Sequence, residues 1–99
     1  MGIVDLHITD LKKLCVLHNV ETMYLFGSAL NPNYNNNSDI DFLVKFKSID
    51  LAKYFDNYMD LKVNLEKLLG RKIDLLEEQT LKNPILINSI NKSKALIYG

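Results

Sequence analysis

Apolar residues along this chain recur with two different periods, and the changes of period mark out its elements. Leu11, Leu14 and Cys15, with Val16 and Leu17, follow helical spacing behind Thr9, so a helix is predicted over about 10–19 with Thr9 as its cap and Asn19 at its C-terminal end. Glu21 to Phe26 is a compact apolar run that reads as a buried strand. Gly27-Ser28 ends it, and a short helical turn can begin there. From Asn31 to Ser38 the chain carries five Asn, one Pro and one Ser, the composition of a loop. Strict alternation returns over 39–46: Ile40, Phe42, Val44 and Phe46 fall on one face, and Asp39, Asp41, Leu43 and Lys45 on the other.

Helical spacing then resumes over about 51–69 behind Asp50, through Leu51, Tyr54, Phe55, Tyr58, Leu61, Leu65, Leu68 and Leu69, and Gly70 stops it. A third strand is predicted over Arg71–Leu76, with Ile73 and Leu75 opposite Lys72, Asp74 and Leu76. Asn83-Pro84 opens a short helix to about Asn91, which carries Ile85, Leu86, Ile87 and Ile90, and Ala95–Tyr98 closes the chain as a strand. The order α-β-turn-β-α-β-α-β implies an α/β (α+β) fold: a small mixed sheet with helices packed on it. Residues 1–99 are expected to form one domain.

Composition narrows the function. Hydrophobic residues make up 47% of the chain, enough for a real core, so disorder is not expected. Twelve basic residues balance twelve acidic ones with no cationic run, which disfavours direct nucleic-acid binding. Cys15 is the single cysteine and reads as a small core residue, so no disulfide forms within the chain. No leader pattern opens the sequence, and no apolar stretch approaches the roughly 20 residues that span a bilayer. A cytoplasmic protein without a membrane partner is the expectation. Small size leaves much surface exposed, which makes self-association or a partner chain unsurprising.

The chemistry concentrates in Gly27-Ser28 and Asp39-Ile40-Asp41. Glycine lets backbone approach a phosphate closely, and Ser28 adds hydroxyl and N–H donors. Alternation puts Asp39 and Asp41 on one strand face, about 7 Å apart at the backbone, from where both carboxylates can reach a hard cation such as Mg²⁺. A bare Asp-x-Asp is more often a solvent-facing strand surface, and a Gly-Ser after a strand is ordinary turn chemistry. Asp74 alters that balance, because it stands opposite apolar Ile73 and Leu75 as Asp39 and Asp41 stand opposite Ile40 and Phe42. If the two strands are neighbours, three carboxylates share one face, and a metal would compensate them.

This set of residues resembles the nucleotidyltransferase superfamily related to DNA polymerase β, in particular its minimal nucleotidyltransferases (MNT). The shared pattern is Gly27-Ser28, then Asp39-Ile40-Asp41, then Asp74 on a following strand, with Tyr24-Leu25-Phe26, Phe42-Leu43-Val44, Leu68-Leu69-Gly70-Arg71-Lys72-Ile73 and Leu96-Ile97-Tyr98-Gly99 matching as flanks. The resemblance implies that Asp39 and Asp41 ligate two Mg²⁺ ions, that Asp74 joins one of them and helps activate the attacking hydroxyl, and that Gly27 and Ser28 hold the triphosphate. It implies AMP transfer from ATP, a nucleoside triphosphate, with pyrophosphate leaving. Members of this size pair with a HEPN-domain toxin and, as antitoxins, adenylylate one of its tyrosines. Many members carry Arg soon after the Gly-Ser; here Ala29, Leu30, Asn31 and Pro32 stand in that segment.

The alternative is a non-catalytic module that neutralises its partner by docking. The other conspicuous side chains read as structural. His7 and His18 lack ligand spacing and suit the surface or a helix end, Tyr54, Phe55 and Tyr58 sit at packing positions, and Lys45 suits a solvated strand. Tyr34 either anchors the loop or stacks on a base.

Overall fold

A computed structural model describes residues 3–26 and 39–99. Its elements, in chain order, are α1 (Ile3–Leu6), α2 (Ile8–Leu17), β1 (Val20–Phe26), β2 (Ile40–Phe46), α3 (Leu51–Leu69), β3 (Ile73–Glu77), a 3-10 turn (Glu78–Thr80), α4 (Pro84–Ser93) and β4 (Ala95–Tyr98). The strands form one mixed sheet in the order β3-β2-β1-β4, with β1 antiparallel to both neighbours and β2 parallel to β3. This is the mixed sheet with packed helices that the alternation predicts. The short α1 and the 3-10 turn are additions to it.

Each sheet face has its own core. On one face Ile40, Phe42 and Val44 of β2, Met23 and Leu25 of β1, and Ile73 and Leu75 of β3 pack with Leu11 and Cys15 of α2 and Leu61, Leu65 and Leu69 of α3. Phe42, Leu11, Met23, Ile40, Leu61 and Leu65 are all fully buried there. On the opposite face Phe26, Leu43 and Ile90 form a smaller cluster, with Tyr24, Leu76 and Leu81 against it. Thus α2 and α3 cover one side and α4 part of the other.

Helix ends show where local chemistry did and did not decide the boundaries. Asn83 Oδ1 accepts hydrogen bonds from the N–H groups of Ile85 (3.0 Å) and Leu86 (3.4 Å), ahead of Pro84 in the first helical turn. Gly70 closes α3 in the left-handed region at φ 63°, and Asn19 adopts φ 58° just past α2. Thr9 is not a cap: α2 begins at Ile8 behind His7, because α1, anchored by buried Val4, already delivers the chain in helical form. Asp50 precedes α3 without a side-chain capping bond. Asn83→Ala is therefore expected to cost about 1 kcal/mol, and Asp50→Ala clearly less, as read from the two variants' urea-unfolding midpoints.

In α3, Leu51 and Phe55 are exposed (87% and 69%) where helical spacing predicts core positions. Tyr54 and Tyr58 take the sheet-facing seats in those turns. The Tyr54 hydroxyl donates to the Glu77 carboxylate and the Tyr58 hydroxyl to the Leu75 carbonyl. Tyr54 also meets Phe46 edge to face, with ring centroids 5.5 Å apart. Phe55, about 100° further round the helix, points outward. Ile85 of α4 is likewise exposed, and Ile90 alone of its apolar residues is fully seated.

His18 sits at the end of α2, as its position suggests, but is buried rather than on the surface. Its Nδ1 lies 2.7 Å from Leu14 O and its Nε2 2.6 Å from the Asp60 carboxylate, while Asn57 Nδ2 donates to His18 O at 2.8 Å. Together these bonds tie the end of α2 to the middle of α3.

Cys15 is buried against Met23, its Sγ 3.7 Å from Met23 Sδ. Burial pushes its thiol up from the ordinary 9.0 to about 12. Burial, reinforced by Glu77, also raises Tyr54, and burial, Glu77 and Asp74 raise Tyr58. The folded chain keeps protons that the unfolded chain releases, so stability is expected to fall as pH rises from about 9 toward 12. Unfolding free energy measured across that window should decline, with a shallower slope in Cys15→Ala. At neutral pH the Cys15 thiol should resist alkylation until the chain unfolds.

Candidate active site

The two-sidedness of β2 positions the carboxylates. Ile40 and Phe42 pair across β3 with Ile73 and Leu75, and all four point into the larger core. Period two then sends the intervening residues the other way. Asp41 is the direct partner of Asp74, and Leu43 the partner of Leu76, both on the face that carries the Phe26–Leu43–Ile90 cluster. The parallel register thus sets two carboxylates side by side on neighbouring strands. Like charges directly opposite one another destabilise a strand pair. Their juxtaposition is an electrostatic cost that a cation would relieve.

Asp39 lies one residue before β2 begins, exposed, and follows the same alternation. The Ile40 N–H donates to Lys72 O at 3.0 Å, which locks the start of β2 beside the start of β3. Neither Asp39 nor Asp41 lacks an interaction partner. Among the described residues, no three His, Cys, Asp or Glu side chains already converge on a common metal position. The register therefore brings Asp41 and Asp74 together and leaves Asp39 adjacent in sequence and face. Gly27 and Ser28 lie outside the described residues, as does Tyr34. Phe26, immediately before Gly27, is the Cα partner of Asp41, so β1 ends level with the carboxylate pair.

The donor set suits a hard divalent ion. It is all carboxylate oxygen, exposed at Asp39 and Asp74 and half-buried at Asp41, without sulfur or imidazole among the candidates. Lys45, on the same strand face, is not near the pair. Its Nζ lies 3.2 Å from Glu21 Oε2, four residues along β2 from Asp41 and so about 13 Å away at the backbone. A second cation does reach this face. Lys94, directly after α4, places its Nζ 4.2 Å from the centroid of the Tyr24 ring. Nothing in the sequence singles it out, because only the β1–β4 pairing and the seating of α4 bring it there.

No described helix is long and apolar enough to cross a membrane. The profile of the family "Polymerase beta, Nucleotidyltransferase" matches residues 9–99. A Methanocaldococcus jannaschii protein, named provisionally as a protein adenylyltransferase, is 36% identical over 81 residues, which cover 82% of this chain and 78% of that protein. A solved structure described provisionally as a minimal nucleotidyltransferase superposes with a TM-score of 0.76 at 27% identity, covering 96% of this chain and 95% of the other. The fold is also that of a chain in the complex of a tri-AMPylated Shewanella oneidensis HEPN toxin with its MNT antitoxin, with a TM-score of 0.65 at 20% identity over 96% of this chain and 71% of that one. The matched profile and the 36% identical relative place this chain in the polymerase β nucleotidyltransferase family, as an enzyme of that family.

Proposed function

We propose that this chain transfers AMP from ATP to a hydroxyl, most simply a tyrosine, of a HEPN-type toxin, and so acts as that toxin's antitoxin. The observation that carries this reading is the opposed pair Asp41–Asp74 on an open strand face. Two carboxylates held level with the end of β1, with Asp39 beside them, are an arrangement that acquires a purpose when a cation and a phosphate chain are present. The relative named as a protein adenylyltransferase and the fold shared with an antitoxin bound to an AMPylated toxin support the substrate class and the partner.

In this reading Asp39 and Asp41 would hold two Mg²⁺ ions and Asp74 would share one of them. Bound there, the ions would neutralise phosphate charge and assist both the attacking and the leaving oxygen. Asp74, exposed on the edge strand β3, would accept a proton from an incoming hydroxyl. Gly27 and Ser28 would hold the triphosphate through backbone and hydroxyl donors. The hydroxyl oxygen attacks the α-phosphorus, the bond to the bridging oxygen breaks, and pyrophosphate leaves with the displaced electron pair.

The test is direct. The chain is incubated with labelled ATP, Mg²⁺ and a HEPN partner encoded beside it, and compared with Asp39→Ala and Asp41→Ala. Label on the partner that vanishes in both variants is the expected result. No transfer by the wild type, with toxin neutralisation intact in the variants, would replace catalysis by docking alone.

A further inference from the structure

We propose that Lys94 binds the phosphate chain of the nucleotide, on the β1 side of the carboxylates; this inference rests on the nucleotidyltransferase reading of the site. Strand register sets its position. Ala95 of β4 is the partner of Leu25 and Leu96 the partner of Tyr24, so Lys94 enters the sheet beside the last residue of β1. Phe26 there is the partner of Asp41. Lys94 therefore lies level with the carboxylate pair, two strands from β2 and about 10 Å away at the backbone.

The ring beneath Lys94 fixes its side of the sheet. Tyr24 pairs with Leu43 and packs against the Phe26–Leu43–Ile90 cluster, on the face that carries Asp41 and Asp74. With Nζ 4.2 Å from that ring centroid, the ammonium is held over this face. A cation–π contact stabilises an ammonium while leaving its N–H groups free to donate to an anion. Among the described residues Lys94 forms no ion pair. The other cations of this face are placed differently: Lys45 is paired with Glu21 at the far end, and Lys72 lies just before β3, beside the start of β2.

Electrostatics gives the position a use. A nucleoside triphosphate approaching Asp39, Asp41 and Asp74 meets like charge, and α4 directs its C-terminal end, with its partial negative charge, to the same region. An ammonium just past α4 offsets both. It is placed to meet phosphate oxygens that the carboxylates cannot approach except through a cation.

Binding of Mg-ATP and of AMP to the intact chain, followed by calorimetry, tests this with Lys94→Met and Lys94→Arg. Lys94→Met is expected to weaken ATP about tenfold or more, to leave AMP affinity within about twofold, and to raise the KM for ATP more than it lowers kcat. Lys94→Arg should restore most of the loss, and the wild-type advantage of ATP over AMP should shrink with added salt. Equal weakening of ATP and AMP, or Met and Arg variants alike, would assign Lys94 to packing on Tyr24 and overturn the proposal. Wild-type ATP affinity in Lys94→Met, with transfer to the partner intact, would overturn it while leaving the adenylyltransferase reading standing. A wild-type chain that binds no ATP would overturn both.

Discussion

Asp74→Asn is expected to reduce AMP transfer by roughly a hundredfold or more while leaving the metal-free chain as stable as the wild type or slightly more so. Both halves follow from one contact. Asp41 and Asp74 are direct partners across parallel strands, so neutralising one removes a like-charge neighbour. The same change removes a ligand. Added Mg²⁺ should raise the thermal midpoint of the wild type, since a ligand at a hundred times its Kd stabilises by about 2.7 kcal/mol, and should do much less for Asp74→Asn. Melting curves with and without Mg²⁺, beside a transfer assay, read all three quantities. Identical Mg²⁺ responses in the two proteins, with transfer retained, would remove Asp74 from the site. A wild type less stable with Mg²⁺ than without it would count against the carboxylate pair as a metal position.

Phe42→Ala is expected to cost about 3–5 kcal/mol, several times the loss expected from removing the Asn83 cap. Phe42 is fully buried on a central strand, flanked by Asp41 and Leu43, and faces the core shared with α2 and α3. Domains of this size have about 5–15 kcal/mol in all, so the variant would lie close to its unfolding limit. Urea unfolding should show a lower midpoint with an unchanged slope. Transfer activity should fall with the folded fraction and recover at lower temperature, without a change in KM for ATP. A variant that remains as stable as the wild type would mean that the core closes over the void more completely than its dense packing suggests.

Much of this architecture was legible from side-chain type and spacing. Strict alternation marked β2 to within one residue, and Asp50 to Gly70 bracketed α3, whose later turns bury Leu61, Leu65 and Leu69 as their spacing predicts. Asn83-Pro84 was legible for a chemical reason, since a short amide acceptor before a fixed φ can do little else so well. The face shared by Asp41 and Asp74 could be stated conditionally; the condition, that β2 and β3 are neighbours, is a property of the sheet and not of either strand.

Features that depend on distant partners were not legible. Asp60 carries no mark of its bond to His18, 42 residues earlier. Tyr54 and Phe55 are adjacent aromatics of similar bulk, and the partners that mark Tyr54 as the inward one, Glu77 of β3 and Phe46 of β2, are distant in sequence. Thr9 is a good capping residue at a place where the preceding helix leaves nothing to cap. Lys94 sits among other lysines near the end of the chain, and its meaning comes wholly from the strand it precedes.

The parallel pairing of β2 with β3 has a consequence for the order of events during synthesis and folding. Asp41 and Asp74 are separated by the whole of α3, and their strands can align only after that helix has crossed the sheet and brought the chain back. Parallel neighbours cannot be joined by a tight hairpin, so this is a non-local closure, the kind of contact that forms slowly. A chain paused before β3 could hold α2, β1 and β2, with Asp39 and Asp41 in place, and still lack Asp74. The appearance of Mg²⁺-dependent activity during refolding would then time the return of this crossover, and would lag behind the helical signal of α2 and α3.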